Sequence, residues 1–356
     1  MKFGFVITNL AGGGAEKTVL TIAEALADRG HEVHLILLER RIEYDVPAAL
    51  SVHALARLSK GTVGKRFAAI RLRRLCRQLA KARNFDLIIS ALPFANEVAI
   101  LAKLPRLWCR VDNSLSGEID LLRAKNPKKA LRRLIRYQRL YSQRALIAVS
   151  DGVAEDLRSG LGLRQVQIER IYNPFNITAI RARAREAVPL PDRPYVLHVG
   201  RFVRQKRHDV LLDAWSAVQT THCLVLLTKY EPTLAQMIEQ RGLGHRVVIA
   251  GFQSNPYAWM LHADLLVLSS DHEGLSNVII ESLIVGTPVV STDCPSGPRE
   301  ILGDAFPDCL TPVGNAAALA DAIRRGLMKP PDTTRANLAR FGLVEAVTAH
   351  ERLARI

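Results

Sequence analysis

Short β-branched or leucine-rich runs alternate with longer helical stretches along the whole chain, and this alternation narrows the fold more than any other feature. The runs KFGFVIT, EVHLILL, FDLIIS, RALIAVS and VQIERIY are separated by segments such as GAEKTVLTIAEALADRG. There Val19, Ile22, Ala23 and Leu26 recur at helical spacing, and Gly30 falls where a C-terminal cap belongs. Strand then helix, repeated, predicts parallel sheets covered by helices on both faces. After IYNPFN (171–176) an arginine-rich helical piece leads into VPLPDRP, with three prolines between 189 and 194. The pattern then restarts with YVLHVG, the turn RFVRQK, the helix RHDVLLDAWSAV, HCLVLL, RVVIAG, DLLVLSS, a helix after 276 and TPVVST. The expected fold is α/β, with two doubly wound Rossmann-like domains facing across a cleft. Residues 1–175 form the N-terminal domain, 190–330 the C-terminal domain, and 331–356 a C-terminal helix packing back toward the N-terminal domain. A length of 356 residues suits two domains, and no residue-level repeat or low-complexity segment interrupts them. Ligands of such sheets bind at the carboxyl ends of strands, so the cleft is the natural site.

No apolar stretch approaches the roughly 20 residues of a spanning helix. The opening MKFGFVITNLAGGG reads as a first strand rather than a signal peptide, so a soluble cytoplasmic chain is expected. Five scattered cysteines with no C-x-x-C pair indicate neither zinc nor a disulfide framework, but reduced thiols used as small core residues. The net charge of +15 is concentrated: residues 57–83 hold ten Lys or Arg and no acid, and residues 123–144 hold nine and no acid. In the helix expected over 66–82, Leu72, Leu75 and Leu79 form an apolar stripe, with Arg73, Arg74, Arg77 and Lys81 elsewhere. Such a helix can pack its leucines inward and turn its cations to anionic lipid headgroups, each contributing about 1 kcal/mol near the surface. Nucleic acid is the competing partner. Only 6% aromatics, few of them among those arginines, leave little to stack on bases, so no nucleic acid is expected.

Chemistry is concentrated in DHEGLSNVIIESL (271–283), where Glu273 and Glu281 stand eight positions apart around a helix start. Ser276 or Asn277 is the expected N-cap. Eight residues of helix rise about 12 Å, too far for a paired acid and base on one glycosidic bond, which need about 5 to 9.5 Å. A ligand with hydroxyl-rich ends and an anionic middle fits better: helix-start N–H groups favour phosphate, and each carboxylate accepts from a diol. A nucleotide-sugar has that shape. In VGRFVRQKRHD (199–209), Arg201 follows a strand and Lys206 is expected to begin the next helix. These cations can stabilise charge developing on a leaving diphosphate. The segment is not a P-loop, since Gln205 and Arg207 break that pattern. In NLAGGGAEKT (9–18), Gly12, Gly13 and Gly14 allow close backbone approach to a ligand, while Glu16 and Lys17 exclude the dinucleotide spacing.

Together, GGGAEK, VSDGV, NPF, VGRFVRQK and above all DHEGLSNVIIESLIVGTPVVSTDCPSGPREIL resemble family 4 glycosyltransferases of the GT-B fold, over nearly the whole chain. The resemblance implies a retaining, metal-independent transferase without a cofactor. Arg201 and Lys206 bind the donor diphosphate, Glu273 the donor sugar and Glu281 the ribose. The amides around Gly274, Leu275, Ser276, Asn277 and Val278 face phosphate. Gly13 and Gly14 approach from the other domain, and the loop AGFQSNP, with Phe252, takes the base. Members often carry a histidine after the strand that reads RLWCRVDNS here; this chain has Asp112, grouped with Arg201, Lys206 and Glu273 as catalytic. The resemblance is greatest to bacterial enzymes that build lipopolysaccharide or surface polysaccharide from UDP-sugars. The expected partners are accordingly a UDP-sugar donor, a lipid-linked or lipopolysaccharide-core glycan acceptor and the anionic inner face of the bacterial inner membrane. A GT-B nucleotide-sugar epimerase is the alternative enzyme.

Overall fold

The computed structural model describes residues 1–11, 13–55 and 61–356. Gly12 and positions 57–60 of the first basic stretch lie outside the described residues. Contacts divide the chain into two units, Met1–Phe175 with Arg340–Ile356, and Asn176–Ala339.

In the first unit, β1 (Lys2–Ile7), β2 (Glu32–Leu37), β3 (Ser51–Ala54), β4 (Leu87–Ala91), β5 (Leu107–Val111), β6 (Ala145–Ala148) and β7 (Ile168–Arg170) form a parallel sheet. Its order is β3-β2-β1-β4-β5-β6-β7. Its helices are α1 (Gly14–Asp28), α2 (Thr62–Leu79), α3 (Pro93–Leu101), α4 (Leu115–Arg123), α5 (Pro127–Tyr141) and α6 (Asp151–Glu155). The strands read as continuous apolar runs because both sheet faces are covered and successive side chains point to opposite faces. Phe3, Phe5 and Ile7 of β1 join α1 in one core, whereas Val6 joins Ile36, Ile88 and the Ala68, Leu72 and Cys76 side chains of α2 in another. Strand β3 was not read from the sequence: it is short and mostly exposed.

The second unit contains β8 (Tyr195–Val199), β9 (Cys223–Leu227), β10 (Val247–Ile249), β11 (Leu265–Leu268), β12 (Val289–Thr292) and β13 (Leu310–Thr311), in the order β10-β9-β8-β11-β12-β13. Around this parallel sheet lie α7 (Ile177–Arg183), α8 (His208–Ala217), α9 (Pro232–Glu239), α10 (Pro256–Leu261), α11 (Asn277–Val285), α12 (Pro298–Leu302) and α13 (Ala316–Met328). Val196, Leu226, Leu265 and Val267 pack with Trp215 of α8 and Ile323 of α13 in its core. The last helix, α14 (Leu343–Arg355), belongs to the first unit. Its Ala346, Val347 and Leu353 share the core of α1, and Glu351 meets His31 at 2.7 Å and Arg29 at 3.0 Å.

Both sheets grow outward in both directions from one central pair, β1/β4 in the first and β8/β11 in the second. Loops leaving the carboxyl ends of such a pair diverge to opposite faces and open a crevice, which is where doubly wound sheets hold ligands. The rest of each sheet serves to place those two loops. All five cysteines are buried and free. Burial pushes the thiols of Cys76 and Cys109 up to about 12 and about 11, as expected of inert core residues. No helix among the described residues is long and apolar enough to cross a membrane.

Candidate active site

The central pair of the second sheet carries the sequence-predicted charges. The loop after β8 brings Lys206, and the loop after β11 brings Glu273, whose carboxylate Oε1 receives Lys206 Nζ at 2.6 Å. Ser270 Oγ donates to the same oxygen at 2.6 Å, and the carbonyl of Ser270 accepts from Thr292 Oγ1 at 2.7 Å. Glu273 is buried, which an ionised carboxylate tolerates only when paired and hydrogen-bonded.

Further bonds tie the two loops together. Gln205 donates through Nε2 to the His272 carbonyl at 2.7 Å and accepts the Asp271 amide at 2.8 Å. Ser269 Oγ donates to the Lys206 carbonyl at 2.7 Å. Arg207 grips Asp209 through Nε and Nη2, both at 2.9 Å to the carboxylate, and Asp271 through Nη1 at 2.8 Å. The Asp209 hydrogen bonds raise the Arg207 pKa against the cost of burial, with Asp271 adding to the effect. Burial opposes ionisation of Asp209, yet the bonds from Arg207 outweigh it and hold that carboxyl below its ordinary value.

Two local expectations are corrected here. Lys206 does not begin a helix: it ends a 3₁₀ turn, Arg204–Lys206, and α8 starts at His208. Between them Arg207 adopts φ 47°, ψ 52°, a left-handed conformation that breaks the helical hydrogen-bond ladder. Ser276 does stand at the N-cap position of α11, but at φ 57°, ψ 62° its side chain makes no capping bond, and its buried hydroxyl has no partner. The first turn of α11 thus begins without a side-chain cap.

Glu281 is buried on α11 and accepts from the Tyr257 hydroxyl at 3.2 Å. Gly274, Leu275 and Ser276 are buried beneath the loop, with Asn277 and Val278 half-buried at the helix start. Arg201 is exposed and makes no ion pair among the described residues. Phe252, 61% exposed, follows β10, two strands away from β8. In the first unit Gly13 is extended at φ −123°, so its conformation does not require glycine, and Gly14 opens α1. Asp112 follows β5, not the central pair. Its Oδ1 accepts from Nε of the fully buried Arg110 at 2.8 Å, while its Oδ2 is buried without a partner.

Sequence reading missed the supporting residues Ser270, Gln205, Arg207, Asp271 and Gly297. Gly297, at φ 97°, lies so close to the glutamate loop that a Cβ there would stand 2.8 Å from the Leu275 carbonyl carbon. The motif PSGP carried a signal for it, since glycine before proline marks a special turn. Hollow volume is a poor guide in this unit. A cavity of about 710 Å³ beside Arg181, Ile284 and Thr333, and another of about 390 Å³ lined by Phe202, His208 and Met237, both omit Lys206 and Glu273. The candidate site is drawn instead from topology and buried charge, which converge at the carboxyl ends of β8 and β11.

Two doubly wound parallel-sheet units in one chain are the architecture of GT-B proteins. The structure of Anabaena HepE in complex with UDP and glucose superposes with a TM-score of 0.76 over 100% of both chains at 20% identity, a likeness of fold. Residues 12–179 match the family model described as Glycosyltransferase Family 4, and residues 193–329 the one described as Glycosyl transferases group 1. A Campylobacter jejuni enzyme, N-acetylgalactosamine-N,N'-diacetylbacillosaminyl-diphospho-undecaprenol 4-alpha-N-acetylgalactosaminyltransferase, is 30% identical over 332 residues, 91% of this chain and 89% of its own. The lipopolysaccharide core biosynthesis glycosyltransferase LpsE of Rhizobium meliloti is 32% identical over 182 residues, 51% of this chain and 53% of its own. The chain belongs to glycosyltransferase family 4 and is a glycosyltransferase. Both relatives are transferases, and the epimerase reading gains no support from them.

Proposed function

We propose that the chain is a retaining, metal-independent transferase that moves a hexose or N-acetylhexosamine from a UDP-sugar to a lipid-linked or lipopolysaccharide-core glycan. The observation that carries the donor assignment is the Lys206–Glu273 pair at the carboxyl ends of β8 and β11. Lys206 and Arg201 take the diphosphate. Glu273, oriented by Lys206 and Ser270, accepts hydroxyls of the donor sugar, and Glu281, steadied by Tyr257, accepts those of the ribose. The amide groups from Gly274 to Val278 face phosphate, with the uncapped turn and the unpartnered Ser276 hydroxyl in support. Phe252 flanks the base. Gly13, Gly14 and Asp112 are the proposed donor-contacting residues of the first unit.

The chemistry follows from charge. As the sugar–phosphate bond breaks, negative charge grows on the diphosphate, and fixed cations stabilise that state more than the ground state. Lys206 is already neutralised by Glu273, so Arg201 supplies the uncompensated positive charge. The departing phosphate takes the acceptor's proton on the same face of the sugar, and no enzymatic nucleophile is required.

The choice of UDP and of a lipid-linked or lipopolysaccharide acceptor draws on the relatives: HepE was crystallised with UDP, and the Campylobacter enzyme's name places its sugar on a diphospho-undecaprenol carrier. The basic helices α2 and α5 are assigned to the anionic cytoplasmic face of the inner membrane, because cations outnumber acids there and attract anionic headgroups. A thermal-shift panel of UDP-, GDP- and ADP-sugars tests the donor. UDP compounds should give the largest stabilisation, and a larger shift with another base would replace the UDP assignment. Flotation with anionic vesicles at low salt tests the membrane contact, which absence of enrichment would remove.

A further inference from the structure

Donor chemistry leaves the α3–α5 edge of the first unit unexplained. Between these helices runs a groove of about 540 Å³, walled by Ile100 and Leu101 of α3 and Ile135 and Leu140 of α5. Leu101 is 46% exposed and Ile135 37%, and both face this groove rather than standing alone on the surface. Arg132, Arg136 and Arg139 also line the groove, at helical spacings of four and three that set them on one edge of α5. The one acid in the wall, Glu97, is engaged by Arg136 and, at 2.8 Å, by Lys65 of α2. Arg132 and Arg139 make no ion pair or hydrogen bond among the described residues. The groove therefore offers an apolar wall and two uncompensated guanidinium groups.

That combination selects its ligand. A glycan needs carboxylate or amide acceptors, and a base needs an aromatic face; the groove wall supplies no aromatic ring, and its one carboxylate is occupied. A hydrocarbon chain gains by covering the four apolar side chains, and a phosphate at the end of that chain meets guanidinium forks suited to its oxygens. We propose that the α3–α5 groove binds the phosphate-bearing end of a single lipid chain, with its hydrocarbon against Ile100, Leu101, Ile135 and Leu140 and its phosphate on Arg132 and Arg139. The assignment deepens the lipid-linked acceptor reading and rests on it for the ligand's identity.

Dodecyl phosphate, held below its micelle-forming concentration, is the probe, titrated calorimetrically into the full chain. Saturable binding is expected, weakened about tenfold or more in Arg132→Ser/Arg139→Ser and in Ile135→Asp, all substitutions at exposed positions. Inorganic phosphate and dodecanol at the same concentration should each bind at least tenfold more weakly than dodecyl phosphate. Equal binding by wild type and both variants overturns the proposal, as does equal binding of inorganic phosphate or of dodecanol. Attachment to anionic vesicles without any binding of monomeric dodecyl phosphate also overturns it, in favour of flat surface contact. A UDP thermal shift on the same variants separates the two levels: it should be unchanged, and its absence in wild type would count against the donor reading rather than the groove.

Discussion

The two sheets share one strand order but load their central loops differently. After β8 and β11 the second unit joins Lys206 to Glu273 at 2.6 Å, with Gln205, Ser269 and Arg207 bonding the loops together and Ser270 holding Glu273 from within its own loop. After β1 and β4 the first unit has only helix starts, α1 opening at Gly14 behind an extended Gly13 and α3 at Pro93 behind Leu92 at φ 75°. Its buried ion pair, Arg110 with Asp112, is displaced to β5, one strand outward, and Arg110 is anchored by Asn173 of the linker. The same architecture thus creates two equivalent places where ligand loops meet. Loop sequence decides which of them carries the buried Lys–Glu pair, and on that difference the proposed donor site rests.

Removing the cation from each pair breaks this comparison most forcefully. Lys206→Ala leaves Glu273 buried without its counter-ion and should cost about 3 kcal/mol of stability, with turnover falling roughly a hundredfold as Glu273 loses the partner that orients it. Arg110→Met should cost a similar amount, about 3 kcal/mol, while leaving UDP affinity unchanged. Urea denaturation and UDP titration of the two variants make the test; equal loss of UDP binding in both would erase the distinction between the units.

Both units contain buried histidines that resist protonation, His198 and His208 in the second and His350 in the first. Burial, with a contribution from Lys206, lowers His208 to about 4. Burial and then Arg110 lower His350 to about 4, against the helping bond to the Ala346 carbonyl. In the unfolded chain both take up a proton near pH 6.5, so the stability they contribute is complete above that value and is lost progressively as the pH falls toward 4. At the limit the loss is about 3 kcal/mol for each. Replacing either with Phe should flatten part of the fall between pH 6.5 and 4.5 in urea melts; an unaltered pH slope in both variants contradicts this assignment.

Smaller effects sharpen the picture of the second unit. Gly297→Ala forces a side chain into left-handed backbone and against Leu275, at about 2 kcal/mol, and should raise KM for the donor by displacing the glutamate loop. Arg207→Gly relieves left-handed strain while removing the bridge between Asp209 and Asp271. Stability should stay within about 1 kcal/mol while kcat drops about tenfold, a separation that purely structural damage does not produce.

Much of this was legible in the sequence, for identifiable reasons. Strands covered on both faces are continuous apolar runs, so β1, β4, β8 and β11 could be read directly, and a proline cluster marked the restart of the pattern. Glu273, Glu281, Arg201 and Lys206 were recognisable as candidates by spacing and motif. Their mutual geometry was not, because Lys206 and Glu273 are 67 residues apart and meet only through the adjacency of β8 and β11. The left-handed turns at Arg207 and Ser276 escaped because neither residue type announces positive φ; tertiary bonds impose it. Ser270 and Gln205 look like ordinary loop residues until the second loop is in place.

Hydrogen–deuterium exchange with and without UDP tests the central claim most directly. The account predicts slowed exchange at 199–207 and 269–281, the loops after β8 and β11 and the start of α11, with little change beside Arg181, Ile284 and Thr333. Protection concentrated at that second cavity, or UDP binding that leaves both central loops exchanging as before, would contradict it.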